Sequence, residues 1–336
     1  MIGVGVVGAG VIGGVHAAAY GRLAGVKVVG VADVDAGRGQ KLAESAAAQY
    51  YSTVAALVAN PEVQAVSICL PHALHAEATL TAAAAGKHVL CEKPIATSLE
   101  DADRMIRACK AAGVKLMIGF THRFRPEHIK ARQLLDEGAI GQVLYANDII
   151  WSGRDNDESL QWRGQVAQNG GGIFMDNGIH AADRIRWWLR SEVTTVTARI
   201  GRGRGLIEGE ENGTALLGFA NGATAVLQQA IGTPASSGCC YVEFVGTDGV
   251  LRVDTWQGLK ISLRHKPWKE VDYPKDGLGG FDLELSEFLA AIRENREPPV
   301  TGDDGRAALA IIGAIYDSAR KGTTVEMEPR LVSVSG

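Results

Sequence analysis

The chain has 336 residues, 46% of them hydrophobic and 21% charged, with a formal net charge of −4 and a pI near 6.1. That length exceeds the usual size of one core and predicts two domains, while the composition excludes a disordered chain. The slight acidity and the lack of a Lys/Arg run exclude nucleic acid as a partner. No stretch has the ~18 uninterrupted apolar residues of a membrane span, so no membrane and only small-molecule partners are expected.

The N-terminal residues Met1 to Val7 carry no basic n-region and run directly into a motif, so a signal peptide is not expected there. The five cysteines (Cys69, Cys91, Cys109, Cys239 and Cys240) are odd in number and lack C-x-x-C spacing. This argues against a zinc site and a disulfide framework, so no metal is expected, and the cytoplasm fits best.

Ile2 to Val7 is an apolar strand, followed by Gly8-Ala9-Gly10-Val11-Ile12-Gly13 and a helix predicted over Val15 to Leu23. This is G-x-G-x-x-G in a strand–turn–helix setting. Gly8 permits the turn, Gly10 admits a pyrophosphate and Gly13 lets the helix pack on the strand, with Val11 and Ile12 between them at the phosphate site. A second strand, Val26 to Ala32, ends in Asp33, the distance at which a carboxylate accepts from ribose hydroxyls and repels a 2′-phosphate. NAD is therefore expected over NADP, although Arg38 lies close by.

Strand and helix patterns then alternate: Ala65 to Leu70, Leu74 to Ala85, His88 to Cys91, Leu99 to Ala112 and Val114 to Ile118. Such alternation predicts a doubly wound parallel sheet, with ligands beyond the carboxyl ends of its strands. Pro71, His72, His75, Glu92 and Lys93 fall at that edge and are candidate cofactor contacts; His75, at an apolar helix start, also suits a structural hydrogen bond. An ammonium at a strand end can hold a hydroxyl or ketone oxygen during hydride transfer, which makes Lys93 a catalytic candidate. Whether the Lys93-Pro94 bond is cis cannot be read from sequence.

The βαβ rhythm stops after Phe120, and the boundary is placed at residue 122, with domains 1–122 and 123–336. Pro126 to Glu137 is a predicted helix with Pro near its start and Gly138 at its end. Val143 to Trp151 is a strand, and the polar stretch 153–169 that follows is long enough to suggest function. Trp162 and Arg163 within it, with His122 and Arg125 upstream, are candidate substrate contacts. Next come Gly170-Gly171-Gly172 and then Asp176 and His180, four apart and, if helical, on one face. A carboxylate beside an imidazole raises its basicity, which suits a general base near pH 7.

Six strands are predicted between Val193 and Leu263, with hairpin signals at Asn221-Gly222 and Asp248-Gly249. They make an open, largely antiparallel sheet whose apolar face a second subunit would cover, giving a homodimer or homotetramer. Phe281 to Arg293 and Asp303 to Lys321 are amphipathic helices.

Assembled, these segments resemble the glucose–fructose oxidoreductase/inositol dehydrogenase/MocA family over nearly the whole chain. The resemblance rests on the glycine motif with His16 and Tyr20 after it, Pro71-His72-Ala73-Leu74-His75, Gly86 to Pro94 with its Glu92-Lys93-Pro94, Gly119 to Phe124, and Asp176-Asn177-Gly178-Ile179-His180. It implies a Rossmann domain joined to an open-sheet α/β domain, bound NAD(P), and oxidation of a secondary alcohol on a sugar, inositol or other polyol, or the reverse reduction. By the same resemblance Lys93 binds the reacting oxygen and His180, supported by Asp176, is the acid–base. Two other readings stay open: an NAD-dependent glycosidase or lyase acting by transient C3 oxidation, and a non-catalytic NAD- or sugar-sensing regulator.

Overall fold

The computed structural model describes residues 1–155, 160–233, 238–255, 257–275 and 278–328. The described residues divide into two compact units, one from 1–121 and 278–306 and the other from 122–277 and 307–328. The segment Leu278–Arg306 thus packs with the first unit although it follows the sheet of the second in sequence.

The first unit holds a six-stranded sheet in the order β3-β2-β1-β4-β5-β6, parallel throughout. Its strands are β1 Ile2–Val7, β2 Val26–Ala32, β3 Gln49–Tyr51, β4 Ala65–Ile68, β5 His88–Glu92 and β6 Leu116–Gly119. All six residues of β1 are buried, as expected of a strand covered on both faces. The helices α1 Val11–Arg22, α2 Ala36–Ser45, α3 Val54–Val58, α4 His75–Ala84 and α5 Leu99–Ala111 alternate with these strands. Sequence periodicity locates α1, α4 and α5 but starts α1 four residues late. It misses the ten-residue α2, and also β3 and α3, whose three and five residues are too short to show a period.

Local chemistry sets several helix starts. Ser98 Oγ accepts the Asp101 N–H at 3.1 Å, with Glu100 and Asp101 in the first turn of α5. Asp35 caps α2 through the Arg38 N–H at 3.0 Å. The strand order places the switch point at β1 and β4, where the chain leaves one half of the sheet for the other. Doubly wound sheets bind ligands at that point, beyond the carboxyl ends of the strands.

The second unit contains α6 Pro126–Asp136 and a helix Ile179–Leu189 against a nine-stranded sheet of β7 Val143–Ser152, β8 Val193–Gly201, β9 Asn212–Phe219, β10 Thr224–Ile231, β11 Cys239–Gly246, β12 Gly249–Asp254, β13 Gly258–Leu263, β14 Lys269–Glu270 and β15 Val325–Glu326, in the order β14-β13-β12-β11-β7-β10-β9-β8-β15. Its central strand, β7 Val143–Ser152, runs antiparallel to β11 Cys239–Gly246 and parallel to β10 Thr224–Ile231. The sheet is therefore mixed, with β7–β10 as its parallel pair, and the rest of the ladder antiparallel. Alternation in β10 buries Ala225, Leu227, Gln229 and Ile231 on one face. Asp248-Gly249 turns β11 into β12 Gly249–Asp254, the hairpin its sequence predicts. The helix Gly302–Lys321 belongs to the first unit through Arg306 and to the second beyond it.

Candidate active site

In the first unit the glycine motif forms the turn between β1 and α1. Gly8 has φ +97°, a conformation open to glycine, and a Cβ on Gly13 would collide with the Gly8 carbonyl. Both residues are therefore explained by the protein's own packing. Gly10 is not: a Cβ there would meet nothing within 4 Å, and the neighbouring Val11 is 85% exposed. Ile12 is half-buried.

Asp33, at the end of β2, is buried and tied to this turn. Its Oδ2 accepts the Ala9 N–H at 2.7 Å, and its Oδ1 accepts from the Asp35 N–H at 2.8 Å and from Arg38 Nη2 at 3.1 Å. Burial alone would raise its pKa, but these hydrogen bonds and the guanidinium hold the carboxyl below its usual range. A carboxylate offers about four lone-pair directions, so acceptor capacity remains for further donors.

The chain end of β5 carries the Glu92-Lys93-Pro94 segment, and the Lys93-Pro94 peptide bond is cis. Glu92 is buried; its Oε1 lies 3.0 Å from His16 Nε2 on α1, and its Oε2 accepts the Lys93 N–H at 3.2 Å. Burial pushes the Glu92 carboxyl up, and the His16 hydrogen bond and nearby positive charge bring it below its ordinary value. Lys93 itself is half-buried. His75, fully buried, has Nδ1 2.8 Å from the Pro94 carbonyl and Nε2 2.9 Å from the Leu70 carbonyl. Both ring nitrogens thus face protein oxygens, and the ring links the segment after Lys93 to the end of β4. His72 is buried, 5.7 Å from the His75 ring, and Pro71 is half-buried at the same strand end.

In the second unit Phe174–Gly178 is one π-helical turn leading into the α-helix Ile179–Leu189. The regular α-helical face expected for Asp176 and His180 is therefore replaced by a wider turn between them. Two cations converge on the buried Asp176: Arg154 Nη1 at 3.1 Å from Oδ2 and Arg163 Nε at 3.4 Å from Oδ1. Arg163 also stacks over Trp162, its guanidinium carbon 4.4 Å from the ring centroid. Residues 156–159 of the polar loop lie outside the described residues.

His180 stacks on His122, centroids 4.3 Å apart and planes 16° from parallel. Behind the pair, Arg184 and Asp148 form a fully buried bidentate ion pair with contacts of 2.7 and 2.6 Å. Arg184 Nη1 also reaches His122 Nδ1 at 3.2 Å and Cys240 Sγ at 3.1 Å. Arg125 is held by the protein, Nε donating to Glu127 at 2.5 Å and Nη2 to the Thr255 carbonyl at 2.6 Å. Of the residues in this unit, sequence reasoning names His122, Arg125, Trp162, Arg163, Asp176 and His180 as candidates, with His122 on the other side of its domain boundary; it misses Arg154, Arg184 and Asp148. Arg184 lies four residues after His180, the one local signal available for any of them.

Comparison with known proteins places both parts of the chain in one family. Residues 2–120 match the model of the Gfo/Idh/MocA oxidoreductase family with its NAD-binding Rossmann fold, and residues 128–252 match a C-terminal domain of the same family. The chain is 33% identical to 1,5-anhydro-D-fructose reductase of Ensifer adhaerens, over 92% of this chain and 94% of that protein. It is 29% identical to inositol 2-dehydrogenase of Rhizobium meliloti, over 94% and 96%. The crystal structure of aldose-aldose oxidoreductase from Caulobacter crescentus superposes with a TM-score of 0.89 at 30% identity, covering 97% of this chain and 99% of that one. Motifs, both folds and both family matches converge, and the chain belongs to the Gfo/Idh/MocA family of oxidoreductases with an NAD-binding Rossmann fold.

Proposed function

We propose that this protein is an NAD-dependent dehydrogenase that moves hydride between the nicotinamide and a secondary alcohol or ketone of a sugar, inositol or related polyol. The observation that carries the reading is the carboxyl edge of the first sheet. There the glycine turn, the bonded Asp33 and the Glu92-anchored Lys93 stand at the ends of β1, β2 and β5. Residues 1–122 serve as the cofactor domain and 123–336 as the substrate and assembly domain.

In this reading the turn at Gly8, Gly10 and Gly13, with Val11 and Ile12, takes the pyrophosphate at the start of α1. The open space at Gly10 supports it, because among the described residues nothing lies within 4 Å of a Cβ placed there. Asp33 accepts the ribose hydroxyls, which selects NAD over NADP, and Pro71, His72 and Glu92 border the nicotinamide end. His75 supports that edge through its two carbonyl contacts.

Lys93 donates to the reacting oxygen. His180 exchanges the alcohol proton, and Asp176, Arg154 and Arg163 set the charge beside it. When bound, NAD accepts or returns the hydride; the chain's residues orient the oxygen and handle its proton. Trp162, Arg163, His122 and Arg125 border the substrate hydroxyls. The three relatives named above, by their names, reduce or oxidise sugars and inositol, which supports the same substrate class here.

No helix among the described residues is long and apolar enough to cross a membrane. The five cysteines stand as thiols, which supports a cytoplasmic location. Leu144, Trp151, Leu216 and Val245 are exposed on strands of the large sheet and support a homodimer or homotetramer formed through it.

The test is a spectrophotometric panel of inositols, sugars and polyols with NAD⁺ and NADP⁺ in parallel. Reduction of NAD⁺ by at least one polyol, lost in Lys93→Ala, is the expected result. A chain that binds NAD yet reduces none of it with any member of the panel overturns the reading.

A further inference from the structure

Glu284 has no role in the reaction proposed above, yet it is fully buried in the first turn of the helix Phe281–Arg293, which packs on α1 in the first unit. Its Oε2 accepts from Thr121 Oγ1 at 3.0 Å, whereas its Oε1 has no hydrogen-bond partner among the described residues. One oxygen of Glu284, one of Glu92 and a ring nitrogen of His16 lie within 4.8 Å of one another, all three side chains buried. His16 Nδ1 is likewise without a hydrogen-bond partner among the described residues, and the His16 ring meets Phe281 edge-on at 5.5 Å.

Two carboxylates this close in a buried volume do not both ionise, and the one with better hydrogen bonds keeps the charge. Glu92 is that one. It has His16 at one oxygen and the Lys93 N–H at the other, whereas Glu284 has a single hydroxyl. The titratable groups facing Glu284 are His16 and Tyr20 of α1, Cys69 after β4 and Glu92 of β5; those facing Glu92 are His16, Cys69, His75, Cys91, Lys93 and Glu284.

We propose that Glu284 holds a proton at neutral pH and that this neutral acid is a positioning residue, keeping the ionised Glu92 seated against His16 and the backbone of Lys93. Burial, and then the Glu92 charge, push the Glu284 carboxyl well above the usual range, which agrees with the geometry. When Glu284 loses its proton at alkaline pH, a second negative charge faces Glu92 with no donor on Oε1. Glu92 is then driven off its two partners, and Lys93 loses its backbone anchor. The positioning role rests on the assignment of Lys93 above; the protonation state does not.

Infrared difference spectra of the full-length protein decide the protonation state. At pH 7, wild type minus Glu284→Gln should show a protonated-carboxyl C=O stretch. Thr121→Val, which removes the hydroxyl at Oε2, should shift the frequency of that band without abolishing it. The kinetic arm uses a polyol found active with NAD⁺: the alkaline fall of kcat should move to higher pH or vanish in Glu284→Gln, since glutamine keeps the shape and cannot ionise.

Absence of the band in wild type, or its persistence in Glu284→Gln, overturns the proposal. So does a stoichiometric divalent metal in wild type that is lost in the variant, since a cation would leave both carboxylates ionised. An unchanged alkaline limb removes the positioning role even if the band is present. A chain with no turnover on any polyol sinks the proposed function while the infrared result still stands by itself.

Discussion

The imidazoles of His122 and His180 lie almost parallel with centroids 4.3 Å apart, and Arg184 Nη1 sits 3.2 Å from His122 Nδ1. A guanidinium only donates, so His122 Nδ1 must accept, and the ring carries its proton on Nε2. A second proton on His122 would set N–H against N–H beside a fixed positive charge.

It follows that His122 stays neutral beside Arg184, which leaves His180 as the member of the stacked pair proposed above to exchange the alcohol proton. Nitrogen-detected NMR should show His122 as the neutral Nε2–H tautomer from about pH 6 to 8, a range around the ordinary imidazole value. His180→Ala should lower kcat/KM by about 10²–10⁴-fold, the usual worth of acid–base catalysis. A His122 signal that titrates through this range would contradict the tautomer argument.

In the proposed function Asp33 sets cofactor choice, through contacts that can be removed. Asp33→Ser takes away the acceptor for ribose hydroxyls and frees Arg38, now 3.1 Å from Oδ1, for a 2′-phosphate. NAD affinity should fall by about 10- to 100-fold, equivalent to about 1.4–2.8 kcal/mol, and NADP affinity should rise. Fluorescence titration with NADH and NADPH measures both; unchanged preference would count against Asp33 as the ribose contact.

The Arg184–Asp148 pair is fully buried. Burial pushes Asp148 up while the adjacent Arg184 charge and its hydrogen bonds oppose that, and Arg184 is raised by Asp148 despite its own burial. With two contacts of 2.7 Å or less, both groups are ionised and each depends on the other. Asp148→Ala leaves the guanidinium buried without its partner and should cost about 3–5 kcal/mol. Thermal and denaturant unfolding of the variant should show that loss, and a cost below 1 kcal/mol would mean that Arg184 finds another acceptor.

Glu211 supplies a pH-dependent contribution. It is buried and accepts backbone N–H groups from Gly203 at 2.6 Å, Arg204 at 2.5 Å, Leu206, and Ile207 at 3.4 Å. Burial raises its pKa, but these hydrogen bonds outweigh that and leave it lowered. A depressed folded-state value means that the stabilisation is present above the unfolded value of about 4.3 and is lost as pH falls through the folded one. Glu211→Gln should therefore cost about 1–3 kcal/mol at pH 7, and the gap from wild type should close on acidification. A gap that widens on acidification would reverse the assignment.

Much of the first unit is legible from sequence because its signals are local. The glycine turn, Asp33 at the end of the second strand and the run of buried β-strand residues each act within a few positions. The π-helical turn at Phe174–Gly178 is not, since Asp176 and His180 four apart suit an ordinary helix equally well. Nor are the partners of the site. Arg154 on Asp176, Asp148 on Arg184 and Glu284 beside Glu92 join positions far apart in the chain, and no period or cap marks them. The return of Leu278–Arg306 to the first unit is of the same kind: a single linear boundary has no way to express it.

The parallel pairing of β7 with β10 also bears on how the second unit is built during synthesis. Strand β7 is made early and waits for both neighbours, β10 and β11, until the helix Ile179–Leu189 and the strands β8 and β9 have emerged. Its contact order is high, so closing the middle of this sheet pays a large loop entropy before any ladder hydrogen bond rewards it. A nascent chain released before β11 would present β7 with one open edge, and would be prone to aggregation through it.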